Sequence, residues 1–212
     1  MANIKVLVFD LGGVVVELDF KPFIDKVLSK SPYYNDQKKI FFLMEFWKEV
    51  EIFDKGLISE EEFYRLACNK LSVRKISKIE FYEAFNSVMS RANEEVIDVI
   101  KKLRALHRFK IIALSNVNKT HIDHAIQKKN FLVFLKLFDE MIFSYEVHMI
   151  KPEPEIFQYT IKKAGCRPEE IAFIDDNLTN INAARKLGIV GIHFANLKNL
   201  IEELKKVGIQ LN

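Results

Sequence analysis

Apolar and polar positions along this chain follow two different periods. Ile4-Lys5-Val6-Leu7-Val8-Phe9 is a short apolar run that stops at Asp10 and is followed by Gly12-Gly13, the pattern of a buried strand leaving its sheet. From about Phe20 to Ser90 the spacing turns helical, with Pro22 and Pro32 as punctuation and no convincing strand. Ser59-Glu60-Glu61-Glu62 predicts an N-cap and an acidic first turn ahead of Phe63, Leu66 and Leu71. The same stretch holds Phe41, Phe42, Phe46, Trp47, Phe53, Phe63, Phe81 and Phe85, whose expected role is to pack a small helical bundle.

From about Asn93 the two periods alternate. A helix carrying Val96, Ile97, Ile100 and Leu103 leads to a strand over Lys110–Leu114, and a helix around Ile122–Lys129 leads to a strand near Glu140–Phe143. A helix over Pro154–Ala164, a strand over Ile171–Ile174, a helix over Ile181–Leu187 closed by Gly188, a strand over Val190–Phe194 and a helix over Leu197–Val207 complete the pattern. Strands separated by helix-length segments imply right-handed crossovers and a parallel sheet covered on both faces. The expected fold is therefore α/β: a doubly wound, Rossmann-like core from residues 1–18 and 91–212, with a small all-helical cap, residues 19–90, inserted after the first strand. An insertion there stands over the carboxyl edge of the sheet, where open α/β sheets bind ligands.

Composition narrows the class. With 212 residues, 49% of them apolar, and a net charge of +3, the chain can bury a core and carries no basic stretch of the kind nucleic acid requires. Cys68 and Cys166 lie far apart, which argues against a disulfide scaffold and fits a reducing cytoplasm. No window approaches the ~20 apolar residues of a membrane helix, and no signal peptide is readable at Met1–Phe9. A cytoplasmic protein with no nucleic-acid or membrane partner is expected; oligomeric state leaves no mark in the sequence.

The chemistry is in what each strand ends with. The first predicted strand ends at Asp10, the second at Ser115-Asn116 and the fourth at Asp175-Asp176, with Lys151-Pro152 in the loop after the third. If the chain reverses beside the first strand, these ends share one crevice. Taken singly each has a bland reading: Asp10 as a turn residue, Ser115, Asn116, Asp176 or Asn177 as helix N-caps, Lys151 as a solvated loop charge. Together they would suit phosphoryl transfer. Clustered carboxylates repel, by about 4 kcal/mol for a pair at 4 Å and an effective dielectric of ~20, and a hard cation such as Mg²⁺ relieves that. Asp10 is then the candidate covalent nucleophile, with Ser115, the Asn116 backbone N–H and Lys151 holding the phosphoryl oxygens.

The ordered set Phe9-Asp10-Leu11-Gly12-Gly13-Val14-Val15, Leu114-Ser115-Asn116, Lys151-Pro152 and Ile174-Asp175-Asp176-Asn177 with Asn180 resembles the four motifs of the haloacid dehalogenase superfamily, in its subgroup with a helical cap between the first two. More narrowly, Phe9-Asp10-Leu11-Gly12 and the cap phrase Lys55-Gly56-Leu57-Ile58-Ser59-Glu60-Glu61-Glu62-Phe63 resemble the bacterial α-D-glucose-1-phosphate phosphatase group. The resemblance implies a Mg²⁺-dependent phosphatase acting on small phosphorylated metabolites such as sugar 1-phosphates through an aspartyl-phosphate. Asp10 would be nucleophile, Ser115 and Lys151 phosphate binders, and Asp176 a direct metal ligand with Asp175 as ligand or support. The Gly12 carbonyl would complete the metal set.

Gly12 is also the departure. The superfamily's phosphatases usually carry there a second Asp that moves protons, a function commonly worth 10²–10⁴-fold. An enzyme selective for good leaving groups, an acid supplied from the cap or the solvent, and a slow or non-catalytic phospho-binding relic are all compatible with its loss. Carbon–halogen hydrolysis also dispenses with it, but has no need of the acidic pair. A receiver domain groups similar residues in another chain order and without the insertion. Phe53, Asp54 and Lys55 are cap residues expected to contribute to substrate choice. His121 and His124 are expected to be solvated helix residues, not zinc ligands.

Overall fold

A computed structural model of the chain describes residues 3–211, with the side chains of residues 129 and 130 excepted. Five parallel strands form the central sheet: β1 (Val6–Phe9), β4 (Lys110–Ser115), β5 (Glu140–Phe143), β6 (Ile171–Asp175) and β7 (Val190–His193), in the order β5-β4-β1-β6-β7. The chain leaves β1 on one side and returns on the other, so the β4 and β6 ends flank the end of β1. Phe9 is in register with Ala113 on one side and Ile174 on the other.

Every residue of β1 is buried because both faces of the sheet are covered. Leu7, Phe9, Ile111, Ala113, Ala172 and Ile174 point to one layer, with Val96, Ile100 and Leu103 of α5 (Glu94–Ala105) and Leu200 and Leu204 of α11 (Leu197–Lys206). Val6, Val8, Ile112, Leu114, Ile171 and Phe173 point to the other, with Ile156 and Phe157 of α9 (Pro154–Ala164) and Ile181 and Ala184 of α10 (Leu178–Lys186). Each such large side chain contributes roughly 1.5–3 kcal/mol by leaving water, so strands and helices hold each other in place.

Between Leu18 and Met89 the chain forms α1 (Lys21–Lys26), α2 (Lys39–Asp54), α3 (Glu60–Lys70) and α4 (Lys78–Asn86). Ser59 caps α3 by accepting from the Glu62 N–H, as its sequence predicts, and Ser77 and Glu80 form a capping box on α4. These helices share a core of their own. Phe53 stacks on Phe63 at 4.3 Å, and Phe63 meets Phe85 at 5.1 Å. The packing role expected of the aromatics holds for Phe46, Phe53, Phe63, Phe81 and Phe85, all buried, but not for Phe41 and Trp47, which are 60% and 43% exposed.

The insertion is not wholly helical. β2 (Val16–Leu18) and β3 (Met89–Ala92) pair antiparallel at its two ends, Val16 opposite Ala92, with Arg91 Nε donating to Glu17 Oε2 at 2.6 Å. Two strands of three and four residues, with charged side chains on them, carry no readable alternation. α7 (Lys129–Leu135) and the single turn α8 (Ser144–Val147) are further elements the periodicity does not separate from their neighbours.

Candidate active site

The bland readings of the strand-end residues are resolved by which side chains cap the helices. Asn118 Oδ1 accepts from the His121 N–H and opens α6 (Lys119–Ile126), while Asn177 Oδ1 accepts from the Thr179 N–H and opens α10. Ser115, Asn116 and Asp176 are therefore not the caps.

Asp10, Asp175 and Asp176 each place a carboxylate oxygen within 4.8 Å of the others. Gly13 permits this approach. Its φ is +78°, and a Cβ on it would lie 2.3 Å from Asp176 Oδ2, so only a residue without a side chain serves there. Asp175 is fully buried, accepting from the Asn177 N–H at 2.7 Å and from Asn180 Nδ2 at 3.0 and 3.2 Å. Lys151 does not follow its bland reading as a solvated loop charge: it is 4% exposed, and its Nζ lies 2.9 Å from Asp10 Oδ2 and 2.8 Å from Asp175 Oδ2. Asn116 holds that loop in place: its Nδ2 donates to the Lys151 carbonyl and its Oδ1 accepts from the Lys151 N–H, both at 2.8 Å. Ser115 is 4% exposed, and its hydroxyl makes no hydrogen bond within the described residues.

Among the described residues one ammonium thus faces three carboxylates. Burial pushes the Asp10 carboxyl well above the usual carboxylate range against the pull of Lys151, and Asp175 and Asp176 push it further. Burial alone would lower the Lys151 ammonium, but Asp10 and Asp175 hold it above the ordinary lysine value. Asp176 is raised by burial and by Asp175. A buried cluster short of positive charge, made only of hard oxygen donors, fits a small divalent cation. Gly12 lies beside it, carries no side chain, and would meet only Leu18, at 3.5 Å, if it did.

A model of haloacid dehalogenase-like hydrolases matches residues 4–188. The chain belongs to that family. It is 29% identical over 192 residues to the D-ribitol-5-phosphate phosphatase of Bacteroides thetaiotaomicron, covering 87% of this chain and 89% of that protein. A HAD family enzyme of Bacteroides thetaiotaomicron, crystallised with magnesium and inorganic phosphate, superimposes with a TM-score of 0.72 at 31% identity, over 90% of this chain and 93% of that one. A predicted HAD-like family hydrolase of Porphyromonas gingivalis gives 0.75 at 27% identity, over 97% and 98%. The fold expected from the sequence is the fold of these hydrolases, and no helix among the described residues is long and apolar enough to cross a membrane.

Between the insertion and the strand-end residues Gly12, Ser115 and Asn116 of this HAD-like hydrolase lies a cavity of about 140 Å³. Gly12, Ser115 and Asn116 form its floor; Phe20, Phe46, Trp47, Val50 and Phe85 are among its walls, with Asp54 and His121 as its ionisable groups. His121, expected to be solvated, instead stacks on Phe85 at 4.5 Å, and burial pushes its pKa down to about 4. Of the three cap residues expected to contribute to substrate choice, only Asp54 lines the cavity. Phe53 is in the cap core, and Lys55 pairs with Glu153 at 2.5 Å. Phe20, Trp47, Asn118 and His121 were not legible as site residues, since nothing local in sequence ties them to the strand ends.

Proposed function

We propose that this hydrolase is a Mg²⁺-dependent phosphatase of small phosphorylated metabolites, working through an aspartyl-phosphate on Asp10. What carries the reading is three carboxylates at adjoining strand ends with a single buried ammonium bridging two of them. Asp10, Asp176, the Gly12 carbonyl and Asp175, as ligand or support, are the metal set. Ser115, the Asn116 N–H and Lys151 hold the phosphoryl oxygens. Residues 1–18 and 91–212 are assigned to the catalytic core and 19–90 to the cap.

Bound among those oxygens, Mg²⁺ supplies the positive charge that keeps Asp10 ionised and offsets the phosphoryl group. The Asp10 carboxylate attacks phosphorus as the bond to the leaving oxygen breaks, with Lys151 already within hydrogen-bond reach of the attacking group. Ser115 and Asn116 end the neighbouring strand, where donors suit charge developing on the phosphoryl oxygens. Water then cleaves the acyl phosphate. The phosphatase relative from Bacteroides thetaiotaomicron and the magnesium and phosphate complex of the solved neighbour support this reading.

The test is phosphate release from sugar, polyol, alkyl and aryl phosphates, with and without Mg²⁺. Turnover that needs Mg²⁺ and falls to background in Asp10→Asn is expected. Full activity in Asp10→Asn would falsify the covalent mechanism, and no turnover of any phosphate would leave a phospho-binding relic.

A further inference from the structure

In-line displacement puts the leaving oxygen on the side of phosphorus away from Asp10, toward the cavity under the cap. That oxygen needs a proton, and the groups below cannot provide one. Asp175 is held by Lys151 and Asn180, and Lys151 gives two of its three N–H donors to Asp10 and Asp175 and keeps the third for the phosphoryl oxygens. Position 12 has no side chain. The ionisable groups lining the cavity are Asp54 and His121. His121 Nδ1 lies 3.1 Å from Asn118 Nδ2, a donor, so the imidazole accepts there and its Nε2–H donates to the Phe85 carbonyl at 3.1 Å. Both ring nitrogens are occupied.

We propose that Asp54, on the last turn of α2, donates the proton to the leaving oxygen, and that the leaving alcohol is apolar. Asp54 Oδ1 accepts from Asn118 Nδ2 at 2.8 Å, while Oδ2 has no partner within the described residues. Its backbone is fastened to the catalytic half: the Asp54 carbonyl accepts from Ser144 Oγ at 2.6 Å and the Lys55 carbonyl lies 2.8 Å from His148 Nδ1. A Cβ on Gly56 would sit 2.5 Å from the Tyr145 carbonyl oxygen, so the glycine lets cap and core meet this closely. Burial pushes the Asp54 carboxyl up to about 7, the Asn118 hydrogen bond working against it and the Glu51 charge adding to it. The negative end of α2 also favours the neutral form. The leaving group itself would lie among Phe20, Phe46, Trp47, Val50 and Phe85, a lining that offers a polyol few partners and an aryl or alkyl group full contact.

The step balances. As the new bond from Asp10 to phosphorus forms, the electron pair of the breaking P–O bond passes to the leaving oxygen. The Asp54 Oδ2 proton joins it, giving a neutral alcohol and the Asp54 carboxylate. When water attacks phosphorus, the Asp54 carboxylate takes the water proton as the bond from Asp10 to phosphorus breaks, which releases inorganic phosphate, returns the Asp10 carboxylate and restores the Asp54 acid.

This inference rests on the phosphatase reading, and its test separates the two. Wild type and Asp54→Asn, which keeps the acceptor for Asn118, are compared on p-nitrophenyl, phenyl and benzyl phosphate, in order of rising leaving-group basicity, and on ribitol 5-phosphate and glucose 1-phosphate. Asp54→Asn is expected to lose about 10²–10⁴-fold in kcat/KM on benzyl phosphate and only a few-fold on p-nitrophenyl phosphate. Gly12→Asp, which the backbone admits, should restore part of the loss. An equal loss on all three aromatic esters that Gly12→Asp does not restore, or no loss, overturns the proton donor. Wild type favouring the polyol and sugar esters over benzyl phosphate overturns the apolar leaving group. In each of those cases the phosphatase stands; a wild type inert toward every ester removes both.

Discussion

Gly13→Ala isolates the contact that brings Asp176 to the carboxylate cluster proposed to hold Mg²⁺. An added Cβ would lie 2.3 Å from Asp176 Oδ2 and 2.6 Å from Cγ, where ordinary contact begins at 3.4 Å, so the carboxylate must retreat by about 1 Å. Mg²⁺ takes oxygens at about 2.0–2.1 Å in a near-octahedral shell, and a ligand displaced that far no longer coordinates in place. Disturbing even the groups that orient a ligand commonly costs 10–100-fold in metal affinity. A second effect runs beside it: φ of +78° at residue 13 costs an alanine roughly 1–2 kcal/mol, or about 2–8 °C in melting temperature at this chain length. Gly165→Ala separates the two, because Gly165 has φ of +70° and nothing within 4 Å of the added Cβ. The assay is thermal melting across a Mg²⁺ titration, since an ion that binds only the folded state raises the melting temperature with concentration. Both variants should melt lower without Mg²⁺, but only Gly13→Ala should need about 10–100-fold more Mg²⁺ for half of the stabilisation. Equal Mg²⁺ midpoints for Gly13→Ala and wild type would refute Asp176 as a ligand.

Lys151→Met should destabilise by about 3–5 kcal/mol, because two buried carboxylates lose their counter-charge; chemical denaturation measures it, and the deficit should shrink as pH falls and the orphaned carboxylates take up protons. A pair of opposed pH slopes is also expected. His121, pushed from 6.5 down to about 4, contributes stability present above its unfolded pKa and lost as pH falls from about 6.5 toward 4. Asp54, raised from 3.8 to about 7, contributes stability present at low pH and lost as pH rises from about 4 through 7. At about 1.4 kcal/mol per pH unit each amounts to a few kcal/mol. Relative to wild type, Asp54→Asn should therefore lose stability between pH 7 and 4 and His121→Phe should gain it, read as melting-temperature differences; parallel curves would contradict the buried, oppositely titrating pair.

How much was legible follows from how each residue is held. The parallel core could be read because the runs at Val6–Phe9, Lys110–Ser115 and Ile171–Asp175 must be apolar on both faces, and a strand covered on both faces leaves its mark as a continuous apolar run. Asp10, Ser115 and Asp175 follow from those runs, since each closes one. The short β2–β3 ribbon has no such signature: backbone pairing joins Val16 to Ala92 at the two ends of an insertion, and the Arg91–Glu17 pair across it lies 74 residues apart in the chain. Lys151 could be named but not placed, because only the fold shows that it is buried between two carboxylates. Asp54 and His121 are linked through Asn118, 64 residues from one and three from the other, and a relation set by docking the insertion onto the sheet has no period in sequence.

The same docking explains why an acid belongs in the cap. A carboxyl beside Asp10, Asp175 and Asp176 is pushed toward protonation by its neighbours, but the cation those groups call for would pull it back to the ionised form. A carboxyl on α2 lines the cavity apart from that cluster and is governed by other forces: the apolar walls, Glu51 and the helix end. Among the described residues its one fixed side-chain partner, Asn118 Nδ2, occupies one oxygen and orients the other. Moving the proton donor from residue 12 to residue 54 thus separates the charge that binds phosphate from the neutrality that releases the alcohol. The aromatic side chains around Asp54 serve both ends, excluding water from the carboxyl and receiving the leaving group. A polar substitution in that wall, such as Phe46→Gln, would then have to disturb leaving-group selectivity and proton donation together, whereas one at the carboxylate cluster disturbs phosphate transfer for every ester alike.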